Sequence, residues 1–461
     1  MKRASFLSNG ALLAFTTCAQ VEAPSTADVD RDVTAFVDVR VVPMIGERVV
    51  EGQTVLIEGD TISAVGPSGS IDVPAGATRI DGAGEYLIPG LAEMHGHLPS
   101  PDMPAQLTED VLFLYVANGV TTVRGMQGNP AQLELRARIN RGQLVGPRLV
   151  VGSPSMEGEN VGTAEEAARL VREYNEAGFD LLKVHEGLSP EVYDAIAAAA
   201  NEVGIPFGGH VSDQVGLMHA LEAGQKTIDH LDNYVEALIP EERMPADPPG
   251  LRGIDGFVDR VDESRLERVV QATLGADASV VPTMVFWESG VFPLRPSVDV
   301  LAERSELRFL PKDIVDSWVE AVDVTVAEKD PEAVRRLAAL RRRILMALHR
   351  GGVRVLLGTD SPQVFNVPGF SIHREMALYV EAGMTPYEVL AAGTRVVGDF
   401  LDGSSGTVEE GKRADLILVH GNPLEDIGNV ARRVGVLVRG EWIPEEAIQT
   451  RLEAIAARYP R

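Results

Sequence analysis

The chain has 461 residues, apolar side chains make up 45% of it, and its formal charge is −26. That length exceeds one minimal domain and suits a large barrel with an accessory unit. So acidic a surface repels phosphate backbones and anionic lipid, which argues against nucleic-acid binding, and a single cysteine, Cys18, excludes a disulfide framework and any cysteine metal cluster. Met1-Lys2-Arg3, followed by Phe6, Leu7 and the run Ala11–Phe15, has the shape of an export signal over residues 1–19, interrupted by Ser8, Asn9 and Gly10. Cleavage after Ala19 predicts a periplasmic or secreted protein; lipidation of Cys18, as in a lipoprotein, is the alternative. No other apolar run approaches the roughly 20 residues of a membrane helix, so no transmembrane segment is expected.

Residues 20–34 read as a polar linker. Between residues 35 and 87, short runs such as Phe36–Val42 and Thr54–Gly66 alternate apolar and polar positions between turn residues, the pattern of antiparallel strands. From residue 88 to 395 the rhythm becomes short apolar strands separated by helical stretches, which predicts βαβ units around a parallel sheet. Eight strands are expected, at Pro89–His95, Thr121–Met126, Arg148–Gly152, Leu181–His185, Pro206–Val211, Thr227–Leu231, Ser279–Phe286 and Arg354–Thr359. Helices are expected between them, among them Thr163–Ala177, which opens with a capping-box spacing, and Glu191–Val203. Eight such units predict an α/β fold of the (β/α)₈ TIM-barrel class. Two connections are long: 232–278, with a Pro-rich stretch from Met244 to Gly250 read as a rim loop or lid, and 288–350, read as a helical insertion. Short strands return at Asp415–His420 and Val434–Arg439 before a final helix from Glu445, over 446–461. Because the sheet of 35–87 cannot bury both faces alone, it is expected to join 396–445 in an accessory β-sandwich built from both chain ends.

Active groups of a parallel barrel sit at the C-terminal ends of its strands. Those ends read His95 and His97, Lys183, His210, His230 and Asp360. In His95-Gly96-His97 the period-two alternation of a strand sends both imidazoles to one side. His210 and His230 add neutral nitrogen donors, and Asp360 an oxygen donor that can also accept a proton. A lone histidine at a strand end is usually structural, and Asp360 alone could be a turn former in Gly358-Thr359-Asp360-Ser361-Pro362; the coincidence of all of them is what points to a metal centre. Lys183 lies among apolar neighbours, where burial lowers its pKa. Its neutral amine can take up carbon dioxide as a carbamate able to bridge two metals; a plain ion pair is the alternative.

The order HxH, Lys, His, His, Asp resembles the binuclear branch of the amidohydrolase superfamily, particularly imidazolonepropionase-like and prolidase-like (Xaa-Pro dipeptidase-like) members. Tyr86-Leu87-Ile88-Pro89-Gly90-Leu91, Gly119-Val120-Thr121-Thr122-Val123-Arg124, Gly406-Thr407-Val408 and Gly411-Lys412-Arg413-Ala414-Asp415-Leu416 with Gly421-Asn422-Pro423-Leu424 resemble its flanking segments, over residues 35–440. The resemblance implies two divalent ions, zinc by analogy, although this donor set also suits manganese, cobalt or iron. It implies one ion held by His95, His97 and Asp360, another by His210 and His230, and a carboxylated Lys183 bridging them with a hydroxide. Asp360 would be the general base and acid. Arg124, His185 and Tyr234 are candidates for gripping substrate. His219, His349, His373 and His420 are assigned to structure.

The reaction implied is hydrolysis of an amide in a dipeptide or N-acyl amino acid, a small and carboxylate-bearing substrate. Ester, lactone or organophosphate hydrolysis and heterocycle deamination remain alternatives. His210-Val211-Ser212-Asp213 faintly resembles a deaminase His-x-x-Glu, against which Lys183 counts. A barrel that only binds partners is a fourth reading, disfavoured because all six ligand positions are filled. A homo-oligomer is compatible with the architecture, though no segment shows one.

Overall fold

The computed structural model describes residues 33–245, 253–291 and 298–460. The expected signal, Cys18 and most of the Pro-rich stretch after Met244 lie outside the described residues. Among the described residues no helix is long and apolar enough to cross a membrane.

Both chain ends build one mixed sheet. It comprises β1 (Val33–Val41), β2 (Val50–Glu58), β3 (Thr61–Pro67), β4 (Thr78–Asp81), β5 (Tyr86–Pro89), β14 (Leu416–Val419), β15 (Arg433–Val438) and β16 (Glu441–Pro444). The order is β16-β15-β14-β5-β1-β2-β3, with β4 on β1. Where alternation suggested a sandwich of two layers, the strands are hydrogen-bonded into one continuous sheet that rolls over its own core. Phe36 on β1 and Trp442 on β16 stand four strands apart, about 19 Å if the sheet were flat, yet their rings meet edge to face at 5.3 Å. A bridge from Thr61 to Arg413 links the β3 edge to the segment before β14. The rolled interior holds Val55, Ile57, Leu416, Leu418 and Leu437, all buried.

The middle of the chain forms eight parallel strands: β6 (Leu91–Gly96), β7 (Val120–Gly125), β8 (Arg148–Val151), β9 (Leu182–Val184), β10 (Phe207–Gly209), β11 (Thr227–Asp229), β12 (Ser279–Val281) and β13 (Arg354–Val355). They pair in sequence order as sheets of three and five. Bridges Gly152–Leu181 and Met156–Val184 join β8 to β9, and Gly96–Ser361 joins β6 to the extension of β13. The amides of Met94 and Asp360 complete that second seam, bonding Leu357 O and His95 O at 2.9 and 2.8 Å. Hydrogen bonding therefore runs through all eight strands.

Local chemistry sets the helix ends. Asn129, Thr163 and Ser189 each accept a backbone amide of the first turn at the helices Pro130–Asn140, Ala164–Ala177 and Pro190–Val203. Gly178 and Gly204 end the last two with φ of 86° and 78°, a left-handed turn that glycine adopts without a Cβ clash. Strand β12 stops at Val281, short of the expected Phe286, because Glu375 draws the amides of Met284 and Val285 into a helical turn. The stretch 288–350 is only partly an insertion. Its helix Pro331–Arg350 buries ten side chains, among them Leu337, Arg341 and Ile344, and leads directly into β13.

Candidate metal centre

Three of the expected ligands converge first. One donor atom from each of His95, His230 and Asp360 lies within 4.8 Å of the others, and all three residues are buried. The His97 Nε2 stands 2.7 Å from Asp360 Oδ1. His210 stacks near His230, with ring centroids 4.5 Å apart. Lys183 Nζ reaches to 3.4 Å from His95 Nε2, and its residue is 1% exposed. Its stem has room because Gly209, at φ 127°, carries no Cβ; one there would stand 2.9 Å from Lys183 Cδ and 2.5 Å from Val184 O. All six expected ligand residues thus meet at one end of the strands.

Three of the four imidazoles are aimed by a group behind them. His95 Nδ1 lies 2.7 Å from Asp229 Oδ2, His210 Nδ1 2.8 Å from Asp232 Oδ2, and His230 Nδ1 2.8 Å from Thr283 Oγ1. A proton on Nδ1 shared with these oxygens leaves the Nε2 lone pair facing inward, the usual arrangement behind metal-binding histidines. Burial pushes the pKa of His95, His210 and His230 well down, and the charge on Lys183 adds to the effect. Burial likewise lowers Lys183, against the pull of Asp229 and Asp360. The imidazoles are therefore neutral, the form that binds a cation. His230 Nε2 and His97 Nδ1 are buried and lack a partner within the described residues. A buried donor or acceptor without a partner is costly, and the unmet nitrogen of His230 belongs to a ring whose other nitrogen, Nδ1, stands 3.9 Å from Asp360 Oδ2. The residues fit a divalent ion.

The strained backbone supports the same site. His230, Thr283 and Asp360 have φ of 60°, 45° and 62°, conformations that for a non-glycine residue cost about 1–3 kcal/mol and persist only where the surroundings over-determine them.

Glu93, Asp229, Asp232 and Thr283 escaped the sequence reading. Glu93 accepts the amides of Thr359 and His95 and the Thr359 hydroxyl, so it ties β6 to the Asp360 turn; burial nonetheless pushes its carboxyl up to about 8. Signals existed: an acid inside an apolar strand at Glu93, and carboxylates flanking a strand-end histidine at Asp229 and Asp232.

Two expected substrate contacts are corrected. Arg124 is 2% exposed and spends its donors inside the fold, Nε on Met94 O (2.6 Å), Nη1 on Thr227 Oγ1 (3.0 Å) and Nη2 on Asp229. It holds the carboxylate that holds His95. Tyr234 is buried with its hydroxyl 2.8 Å from Thr273 Oγ1, turned into the core because it opens a short helix. His185 keeps its candidacy. It is about a third exposed, packs 4.2 Å from the His210 ring and faces Glu157 at 3.4 Å; burial and then Lys183 lower its pKa to about 4. Of the histidines assigned to structure, His219, His349 and His420 pair with Asp194, Glu388 and Glu85, and His373 is packed with both ring nitrogens buried.

The model of the amidohydrolase family matches residues 86–443, more than three quarters of the sequence and every residue of this cluster. The chain belongs to the amidohydrolase family. An adenine deaminase of Chelativorans sp. (strain BNC1) is 33% identical over 188 residues, 37% of this chain and 31% of that protein. Adenine deaminase 3 of Rhizobium meliloti (strain 1021) is 27% identical over 218 residues, 43% and 35% respectively. The match thus spans about a third of the length of these relatives. Among solved structures, bottromycin amidohydrolase superposes with a TM-score of 0.69 at 24% identity, covering 94% of this chain and 93% of its own. A Xaa-Pro dipeptidase with bound methionine gives 0.64 at 20%, covering 90% and 100%. At such identities the likeness concerns the fold.

Proposed function

We propose that this amidohydrolase cleaves an amide bond in a dipeptide or N-acyl amino acid at a two-metal centre. The eight-stranded ring is read as a (β/α)₈ barrel, with His95, His97 and Asp360 holding one ion, His210 and His230 the other, and Lys183, carboxylated on Nζ, between them. The observation that carries this reading is the buried Lys183 amine beside His95 Nε2, since a binuclear centre needs a bridging anion there and a mononuclear deaminase does not. Uptake of carbon dioxide by the neutral amine forms an N–C bond and releases one proton, turning a repelled cation into an oxygen ligand. Zinc is the expected metal. When bound, divalent ions acidify water and polarise a carbonyl.

The chain's own groups do the rest. Asp360 takes the proton of the attacking water and hands it to the departing nitrogen. His185, neutral at ordinary pH, partly exposed and beside the His210 ring, offers a ring nitrogen to the substrate. Burial excludes competing water from Lys183 and His230. Export through the N-terminal signal belongs to the same proposal.

A second reading, heterocycle deamination, is favoured by the adenine deaminase relatives. One assay separates them: metal-loaded protein with dipeptides, N-acyl amino acids, esters, lactones and adenine, products resolved by chromatography. Amine release confined to the amides supports the proposal. Ammonia from adenine moves the enzyme to the second reading, and turnover of the esters or lactones alone rejects both.

A further inference from the structure

His230 owes its orientation to a segment that two other helices clamp. Thr283, whose Oγ1 holds His230 Nδ1 at 2.8 Å, is β-branched yet sits at φ 45°, a conformation such residues avoid unless their surroundings impose it. The imposing groups are visible. Glu375, fully buried on the helix Phe370–Ala382, accepts the Met284 amide at 2.8 Å on one oxygen and the Val285 amide at 2.6 Å on the other. Arg341, buried on the helix Pro331–Arg350, donates from Nη2 to His230 O at 2.8 Å and to Pro282 O at 3.3 Å. Its guanidinium lies over the Trp287 ring, 3.8 Å from the centroid, so stacking fixes the plane from which it donates. One residue therefore ties the carbonyls just past the ends of the paired strands β11 and β12, and the other ties the two amides that follow Thr283. Neither touches the space between His95, His230 and Asp360.

We propose that Glu375 and Arg341 are positioning residues for the metal-facing imidazole of His230, acting through Thr283 and the His230 carbonyl. The inference rests on the metal-centre reading above. Glu375 pins the backbone after Thr283, so that its hydroxyl holds Nδ1 at 2.8 Å and fixes the plane of a ring that lies 3.9 Å from Asp360 Oδ2. Arg341 holds the left-handed backbone of His230 itself. Both reach the centre from helices that sequence position would class as scaffold. Supporting groups of this kind typically change metal affinity by about 10–100-fold when removed.

The test uses cobalt as the probe metal, with affinity read by chelator competition and geometry by the visible absorption of the loaded protein. Glu375→Gln and Arg341→Met are expected to weaken cobalt binding by about 10–100-fold and to change the spectrum as Thr283→Val does. Thr283→Ser, which keeps the hydroxyl, should keep the wild-type spectrum. Because Glu375 acts through Thr283, the double variant Glu375→Gln/Thr283→Val should be little worse than Thr283→Val alone, a non-additivity that independent sites do not show. Arg341→Lys, which keeps one donor, is expected to restore part of the affinity and guards against a variant that fails to fold. Additive losses, or wild-type affinity and spectrum with only a lower melting point of the metal-free protein, overturn the proposal. If wild type binds no cobalt, or His230→Ala binds it as well as wild type, the metal-centre reading falls first.

Discussion

At the C-terminal ends of the eight strands, ionisable side chains gather with their needs unmet: three neutral buried imidazoles, a buried lysine and Asp360, with the His230 Nε2 left without a partner among the described residues. At the N-terminal ends the charges come as finished pairs, Arg136 with Asp180 at 2.5 Å, Arg148 with Asp402 at 2.6 Å and Arg354 with Asp277 at 2.7 Å. Yet a cavity of about 1040 Å³ lies at that lower end, lined by these pairs together with Arg124 and Phe207. Volume alone would have chosen the wrong end. What marks a site here is coordination that the protein leaves incomplete, and Arg124 joins the two ends by bracing Asp229, which braces His95.

The sharpest way to break this contrast is at Asp360. Asp360→Asn should cut kcat/KM on an amide substrate by about 10²–10⁴-fold, the range for losing a general acid–base, while Arg148→Ala leaves it unchanged. Lys183→Ala should come next, losing about 100-fold or more in rate and one of two metals by elemental analysis; two metals with full activity would end the binuclear reading. Arg124→Met strands the Asp229 carboxylate in the interior. Breaking one side of a buried pair costs about 3–5 kcal/mol, which urea unfolding of the metal-free protein would register.

A pH comparison sharpens the same contrast. His95, His210 and His230 have folded pKa values below the ordinary 6.5, so below that pH the unfolded chain binds more protons. Stability of the metal-free protein is then whole above pH 6.5 and falls as pH drops, by at most about 1.4 kcal/mol per pH unit for each imidazole. Asp402 is shifted in the same direction but in a lower window: Arg148 holds its carboxyl below the ordinary 3.8, so its contribution persists until pH falls under about 4. Metal-free melts from pH 7 to 5 should therefore move with the three imidazoles, offset in part by Glu93 and Glu375, whose carboxyls burial pushes up to about 8, and a metal-saturated sample should resist the change, since bound ions stabilise the folded state. Smallest of all is Arg148→Ala itself, an exposed pair worth at most about 1 kcal/mol.

The sequence by itself determined where the chemistry begins. Period-two strands and helix caps are local properties, so His95, His97, Lys183, His210, His230 and Asp360 could be placed at strand ends from apolar runs and turn residues alone, and the family's motif order was legible in the same positions. Strand limits were legible to within a few residues except at β12, where a distant carboxylate, Glu375, overrides the local preference for extension. Tertiary structure decided everything that depends on which strand lies beside which. Only it pairs Asp229 with His95 and Asp232 with His210, turns Arg124 and Tyr234 away from any substrate, rolls the two chain ends into one sheet, and brings Arg341 to the His230 carbonyl. The reason is physical: a strand's own pattern says which side chains face inward, whereas the partner each one meets is set by groups far away in the chain, whose approach no local pattern records.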